Sequence, residues 1–284
     1  PLQRRLKKVL AKLKGVADNQ ILLGNGSDEV LDLIFRTFCE PGEDEVILLP
    51  PTYGMYGVLA QLNNVRTHSV PLNEDFELEL EAVSAQINEK TKVIFVCSPN
   101  NPSGNAIPLW QIEALLKRFK GLVVVDEAYV DFSEQNSASS LLKIYPKLMI
   151  CQTLSKAYGL AGIRLGIGFA DPEIIYFFNK IKPPYNVNIL TQKRALASLD
   201  ASDVVELQVK ELIAERQNME KALSNFSFVK KIFPSNANFL LIRVDDADKR
   251  YKQLIENDIV VRNRSSLNGC ENSLRVTTGT TQEH

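Results

Sequence analysis

"VVVDEAYVDF", residues 123–132, ends a wholly apolar run in two adjacent carboxylates. An apolar run without alternation suits a strand buried on both faces, and such strands belong to parallel sheets covered by helices. Burying Asp126 without a partner would be costly. Either the strand surfaces here and leaves both carboxylates in water, or a cation or protonated ring nitrogen meets Asp126 at the strand end. Asp126 and Glu127 point to opposite faces of a strand, which argues against a glycosidase-like acid pair. Tyr129 lies three residues on and would face the same space as Asp126.

Similar runs recur on both sides of this one. "DEVILL" (44–49), "KVIFVC" (92–97) and "KLMICQ" (147–152) are bounded by turn formers, and His68 falls in another strand. Helical periodicity over 27–39, about 79–87 and 108–119 separates them. The alternation predicts an α/β fold with a mostly parallel central sheet covered by helices, and ligands collect at the carboxyl ends of such strands. After residue 170 the texture changes. "DPEIIYFFNKIK" and "NILTQKRALASL" read as helices, followed by a charged amphipathic stretch over roughly 202–225. "FVKKIF", "NFLLIRV", a helix near 247–256, "DIVVRN" and "SLRVTT" then predict a smaller C-terminal α/β domain. The expected division is a large domain over 1–200 and a small one over 201–284.

The chain has 284 residues, 33 basic and 34 acidic side chains and a net charge of −1, which gives no electrostatic reason for a nucleic-acid or membrane partner. No apolar run approaches the roughly 20 residues needed to span a bilayer. Cys39, Cys97, Cys151 and Cys270 are widely spaced with no C-x-x-C, as expected of buried reduced thiols in a cytoplasmic protein. With only His68 and His284, neither a histidine metal site nor a Ser-His-Asp triad is supported.

Four other stretches carry chemistry. In "LLGNGSDEVLDLIFRTF" (22–38), Gly24 and Gly26 permit a tight turn, Ser27 reads as an N-cap, and Asp28 and Glu29 suit the helix dipole. The same start exposes backbone N–H groups that bind phosphate well. In "PPTYGMY" (50–56), a stiff turn presents Tyr53, whose face suits a planar ligand. In "CSPNNPSGN" (97–105), Asn101 sits in a certain turn. In "QTLSKAYGLAGIRLG" (152–166), Lys156 follows a buried strand, so its ammonium would be partly desolvated and its amine nucleophilic. Ser155 and Arg164 add a hydroxyl and a guanidinium suited to phosphate. Each stretch alone has a plain alternative: a capped helix, a packed tyrosine, an Asx-turn, a surface lysine. Together they suit a planar phosphorylated cofactor with a ring nitrogen and an aldehyde, as in pyridoxal 5′-phosphate.

"GNGSDE", "PTYGMY", "SPNNPSGN", "VVDEAYVDF", "TLSKAYGLAGIRLG" and "SLRVTTGT" also make the chain recognisable. As an ordered set over essentially the whole chain it resembles the fold-type I pyridoxal-phosphate aminotransferases, and within them the histidinol-phosphate aminotransferase family. The resemblance implies that Lys156 holds the cofactor and later moves the α-proton, and that Asp126 pairs with the pyridine nitrogen. It implies that Tyr53 stacks on the ring and that Asn101 and Tyr129 bind its phenolic oxygen. Gly26, Ser27, Thr153, Ser155 and Arg164 would surround the cofactor phosphate, with Asp28 beside them. Arg275 would take the substrate's acidic end and Arg262 its phosphate, with Arg264 as a neighbour.

The implied reaction joins L-histidinol phosphate and 2-oxoglutarate to imidazole-acetol phosphate and glutamate, in histidine biosynthesis, in a cytoplasmic homodimer and without a metal. The same scaffold resembles aromatic amino-acid aminotransferases, threonine-phosphate decarboxylases, which are lyases, and ligand-sensing domains of regulators. Ser103 stands where the family carries a threonine in "NNPTG". The resemblance also implies an N-terminal arm, with an "NENP"-like segment and a tyrosine before the position of Pro1. That tyrosine would reach the partner subunit's cofactor phosphate. A further C-terminal segment is expected after "GTTQEH".

Overall fold

The computed structural model describes residues 3–283; Pro1, Leu2 and His284 lie outside them, so His68 is the one histidine placed. The first part of the chain forms α1 (Arg4–Lys14), β1 (Ile21–Asn25), α2 (Ser27–Phe38), β2 (Glu45–Leu48), α3 (Met55–Leu62) and β3 (Arg66–Ser69). It continues with α4 (Leu80–Gln86), β4 (Thr91–Cys97), α5 (Leu109–Arg118), β5 (Leu122–Asp126), β6 (Leu148–Thr153) and β7 (Leu165–Phe169). These strands make one seven-stranded sheet in the order β1-β7-β6-β5-β4-β2-β3. The run from β6 to β3 is parallel, and β7 is antiparallel to both its neighbours.

The unalternating apolar strands are explained by burial on both sides. Val123 and Val125 of β5 join Ile94, Val96 and Ile150 in one core, while Val124 joins Val93, Phe95 and Met149 in a second core on the other face. Each such aliphatic side chain contributes roughly 1.5–3 kcal/mol by leaving water. The strand does not surface at its end: Asp126 and Glu127 are only 3% and 4% exposed. Their chemistry therefore has to be settled inside the protein.

Four elements depart from the sequence expectation. Neither β1 nor β7 is foreseen, and α1 and α3 are not foreseen either. "LGIGF" carries two glycines, which weaken a strand signal. Packing demands them. A Cβ on Gly166 would overlap the Gly26 carbonyl and the Ser27 nitrogen, and one on Gly168 would lie 2.8 Å from Met149 Cε.

The rest of the chain forms α6 (Pro172–Ile181), α7 (Ile189–Asp200), α8 (Ser202–Leu223), β8 (Val229–Ile232), β9 (Phe239–Val244), α9 (Ala247–Ile255), β10 (Arg262–Asn263) and β11 (Ser273–Thr277). A second, antiparallel sheet runs β10-β11-β9-β8. Leu240, Ile242 and Leu274 pack on one of its faces with Met219 of α8 and Ala247 of α9. Of "DIVVRN" only two residues pair as a strand; Asp258 takes a left-handed φ of 62° and Val260 is 72% exposed. On the opposite face, Phe239 meets Tyr129 edge to face, with centroids 5.1 Å apart. That contact joins the second sheet to the end of β5.

Candidate active site

The carboxyl ends of β4, β5 and β6 and the edge of the second sheet enclose a cavity of about 430 Å³. β5 places Asp126 on the face of Leu122 and Val124. Its Oδ2 accepts a hydrogen bond from the Tyr56 hydroxyl at 2.7 Å, and its Oδ1 accepts one from the Ala128 N–H at 3.2 Å. Burial outweighs these bonds and raises the Asp126 pKa to about 6. Glu127 turns to the other face. It accepts from the Ser137 hydroxyl, the Gln152 amide and the Ala138 N–H at 2.6, 2.8 and 2.7 Å.

Thr153 comes from the end of β6, and Ser155, Lys156 and Arg164 from the connection that leads to β7. Lys156 has solvent access because the cavity is open, yet the cavity walls remove much of its hydration. That desolvation lowers its pKa, and Arg275 lowers it further, against the pull of Asp126 and Asp28. Its Nζ stands 5.2 Å from the centre of the Tyr129 ring. Thr153 Oγ1 accepts the Ser155 N–H at 3.1 Å and lies 3.1 Å from the Leu165 carbonyl. Its hydroxyl is thereby committed to shaping the turn, while the Ser155 side chain stays at the cavity wall.

Arg164 takes a left-handed φ of 54°, and its carbonyl accepts the Gly26 N–H at 2.9 Å. Gly26, at φ 82°, is the N-cap residue of α2. Ser27 is therefore the first helical residue, not the cap the sequence suggests. The correction has a physical reason: a positive φ together with Arg164 packed close leaves glycine as the fitting cap residue, since a Cβ there would stand 2.6 Å from Arg164 Nη2. The first-turn N–H groups of α2 lack intrahelical partners and open toward the cavity beside Ser27 and Asp28. Asp28 lies 3.6 Å from Arg164 Nη2 and accepts from the Tyr53 hydroxyl at 3.0 Å. Tyr53 is thus held with its ring at the cavity wall.

The opposite wall is basic. Arg275 of β11 donates from Nη1 to Asn101 Oδ1 at 2.6 Å, and its Nε is buried without a partner. Arg264 likewise has a buried, unpartnered Nε. β10 pairs Arg262 directly opposite Arg275, and all three arginines line the cavity. No carboxylate within salt-bridge distance neutralises any of the three among the described residues. Tyr129 is buried beside them, and burial pushes its hydroxyl up to about 12, so it remains a hydrogen-bond donor.

Every candidate residue from the sequence reaches this cavity wall except Gly26, which acts one position behind it through its backbone. The sequence reading missed Tyr56 and Cys97. Tyr56 lies in the quoted "PPTYGMY", but its bond to Asp126 spans 70 residues and leaves no local trace. Cys97 stands in register with Asp126 on the neighbouring strand, a pairing visible only once the sheet order is known.

The family described as Aminotransferase class I and II matches residues 2–284. A histidinol-phosphate aminotransferase from Christiangramia forsetii is 56% identical over all of this chain and 81% of its own length. Among solved structures, the histidinol-phosphate aminotransferase from Clostridium acetobutylicum superposes with a TM-score of 0.92 at 26% identity, over 99% of this chain and 85% of that one. The Sinorhizobium meliloti histidinol-phosphate aminotransferase, solved in complex with pyridoxal-5′-phosphate, shares the fold with a TM-score of 0.91 at 24% identity, over 100% of this chain and 78% of that one. A match along the whole chain, a fold shared at this closeness and a cavity where an amine, a buried acid and a row of guanidiniums meet carry one conclusion: the chain belongs to the class I and II aminotransferases.

Proposed function

We propose that this chain transfers an amino group from L-histidinol phosphate to 2-oxoglutarate, giving imidazole-acetol phosphate and glutamate, with pyridoxal 5′-phosphate as cofactor. The observation that carries this reading is the pairing of two walls. One holds Lys156 and the buried Asp126; the other holds Arg262, Arg264 and Arg275 with no carboxylate in salt-bridge distance among the described residues. Relatives at 54–56% identity that bear the histidinol-phosphate aminotransferase name support the substrate pair.

The residues present fit the cofactor. Asp126 is a buried carboxylate with no ion-pair partner among the described residues, which a protonated ring nitrogen would compensate. The Gly26 turn and the open start of α2 form a cradle for a phosphate, and a side chain at Gly26 would strike Arg164 while one at Gly166 would strike the turn's own backbone. When bound, the cofactor supplies an aldehyde that takes up the amino nitrogen and a ring that draws off the electron pair left at the α carbon.

The chain's own residues do the rest. Lys156 holds the cofactor through Nζ in the resting enzyme and afterwards carries the proton that leaves the α carbon; its lowered pKa favours the free amine this requires. Asp126 would pair with the protonated ring nitrogen, Tyr53 would lie against the ring, and Asn101 and Tyr129 would bind the phenolic oxygen. Ser27, Ser155 and Arg164 hold the phosphate, with Gly26 and Thr153 fixing the backbone and Asp28 orienting Arg164 and Tyr53. Arg275 and Arg262 grip the acidic groups of both substrates in turn, with Arg264 beside them.

The same reading places a large cofactor domain at 1–200 and a small one at 201–284, and it has the enzyme act as a cytoplasmic homodimer. Exposed apolar side chains along α6, the loop after it and α7 support the dimer, among them Tyr176, Tyr185, Ile189 and Leu190 at 56–74% exposure. No described helix is long and apolar enough to cross a membrane, and all four cysteines are buried and free.

An absorbance titration of the cofactor-loaded protein tests the reaction. L-histidinol phosphate should convert the cofactor to its amine form at low concentration, with L-phenylalanine and L-threonine phosphate inert. Conversion by phenylalanine alone would replace this reading with an aromatic aminotransferase. Carbon dioxide release from threonine phosphate would replace it with a lyase.

A further inference from the structure

We infer that Tyr56 is a positioning residue that keeps Asp126 ionised toward the ring nitrogen of the cofactor; the inference rests on the cofactor reading above. Tyr56 is fully buried, and its hydroxyl donates to Asp126 Oδ2 at 2.7 Å. Its ring is held among aromatic neighbours. It stacks on Phe95 with centroids 5.0 Å apart, Phe95 stacks on Phe35 at 5.1 Å, and the edge of Tyr56 meets Tyr53 at 5.6 Å. A three-ring stack from α2 through β4 to α3 therefore aims one hydroxyl at one carboxylate oxygen. The same stack ends against the tyrosine that faces the cavity.

The surroundings of Asp126 leave this task to Tyr56. In register on its two flanking strands stand Cys97 of β4 and Cys151 of β6, both buried thiols and weak donors. Asp28 of α2 repels its charge, and Lys156 attracts it without a salt bridge to it. Tyr53 and Tyr129 also face it, but the hydroxyl of Tyr53 is bonded to Asp28. The Ala128 N–H binds the other oxygen, at 3.2 Å. Tyr56 is thus the one side-chain donor to Asp126 among the described residues, and a hydrogen bond to the charged form favours that form. Without it, the carboxyl would hold its own proton at higher pH and lose its grip on the protonated ring.

The test is equilibrium binding of pyridoxal 5′-phosphate to the full chain stripped of cofactor, from pH 5.5 to 8.5. It compares wild type, Tyr56→Phe, Asp126→Asn and the double variant. The Tyr56→Phe protein should bind about tenfold more weakly near pH 6.5, the size of one hydrogen bond to a charged group. The deficit should shrink toward pH 8.5, where Asp126 is ionised in both proteins. In the Asp126→Asn background the same change should have no further effect. If Tyr56→Phe fails to fold, 3-fluorotyrosine at position 56, a stronger donor, should move the wild-type pH dependence the other way. A deficit of equal size at every pH, or one that survives in the Asp126→Asn background, would show mere packing and overturn the inference. Wild-type protein that binds no cofactor at any pH would overturn the cofactor reading and the inference together.

Discussion

Asp126 and Glu127 are adjacent and both buried, but the two faces of the sheet treat them differently. On the Glu127 face, three donors from the Ser137 turn and from β6 close around the carboxylate. On the Asp126 face, one hydroxyl and one long N–H bond leave the carboxylate open to a cavity that also holds Lys156. Burial raises the pKa of both. The difference lies in what answers that burial. Glu127 is answered by the protein itself and ties a loop to the sheet. Asp126 is left for a partner that arrives from outside, the arrangement that marks a functional site.

The largest effect should come from the cavity side. Lys156→Ala should lower kcat at least about 10⁴-fold in an amino-transfer assay, and borohydride should no longer fix cofactor to the chain. Turnover within tenfold of wild type would put the chemistry elsewhere. Asp126→Asn comes next, with a loss of about 10²–10³-fold in kcat if Asp126 is, as proposed, the anionic partner of the ring nitrogen. The folded protein should survive this change, since an amide can still accept from Ala128 and meet Tyr56.

Glu127→Ala should invert the pattern. It strands three donors and should cost about 4 kcal/mol in urea unfolding, while turnover of the folded fraction stays unchanged. Equal damage to stability from Asp126→Asn would erase the distinction between the two faces.

The smallest effect is a pH dependence. The Asp126 pKa rises from 3.8 to about 6 on folding. Between those values the native chain holds a proton that the unfolded chain has lost. Stability of the cofactor-free protein should therefore fall as pH rises through about 4 to 6, by up to about 3 kcal/mol from this group. Asp126→Asn should remove that share of the slope and leave the protein more stable at neutral pH. Urea titrations at pH 4.5 and 7 on both proteins would read it.

What the sequence made legible follows from distance along the chain. β2, β4, β5 and β6 are continuous apolar runs because both sheet faces are covered, so burial wrote them plainly. The strand ends then placed Lys156, Asp126 and Asn101 together. β7 was illegible because its glycines answer to the backbone of Gly26 and Ser27, far away in sequence. α3 hid behind the prolines before it and behind Gly57 within it. Ser27 looked like a cap because its residue type caps helices, but the close approach of Arg164 gave that place to Gly26. Tyr56 was passed over for Tyr53 because only the folded sheet shows which tyrosine meets Asp126.

The reversed direction of β7 has a consequence of its own. Because β6 and β7 run antiparallel, residues 154–164 form the connection of a hairpin, with Lys156 near its start and Arg164 at its end. The amine and the guanidinium therefore belong to one continuous handle, stitched at its base by the Leu154 N–H to the Leu165 carbonyl. The arginines of the second sheet belong to another piece of the molecule. In the proposed function, rearranging that second piece would alter which acids are accepted and leave the handle's hold on the cofactor intact. Lengthening the handle itself would separate its two grips while sparing the sheet below.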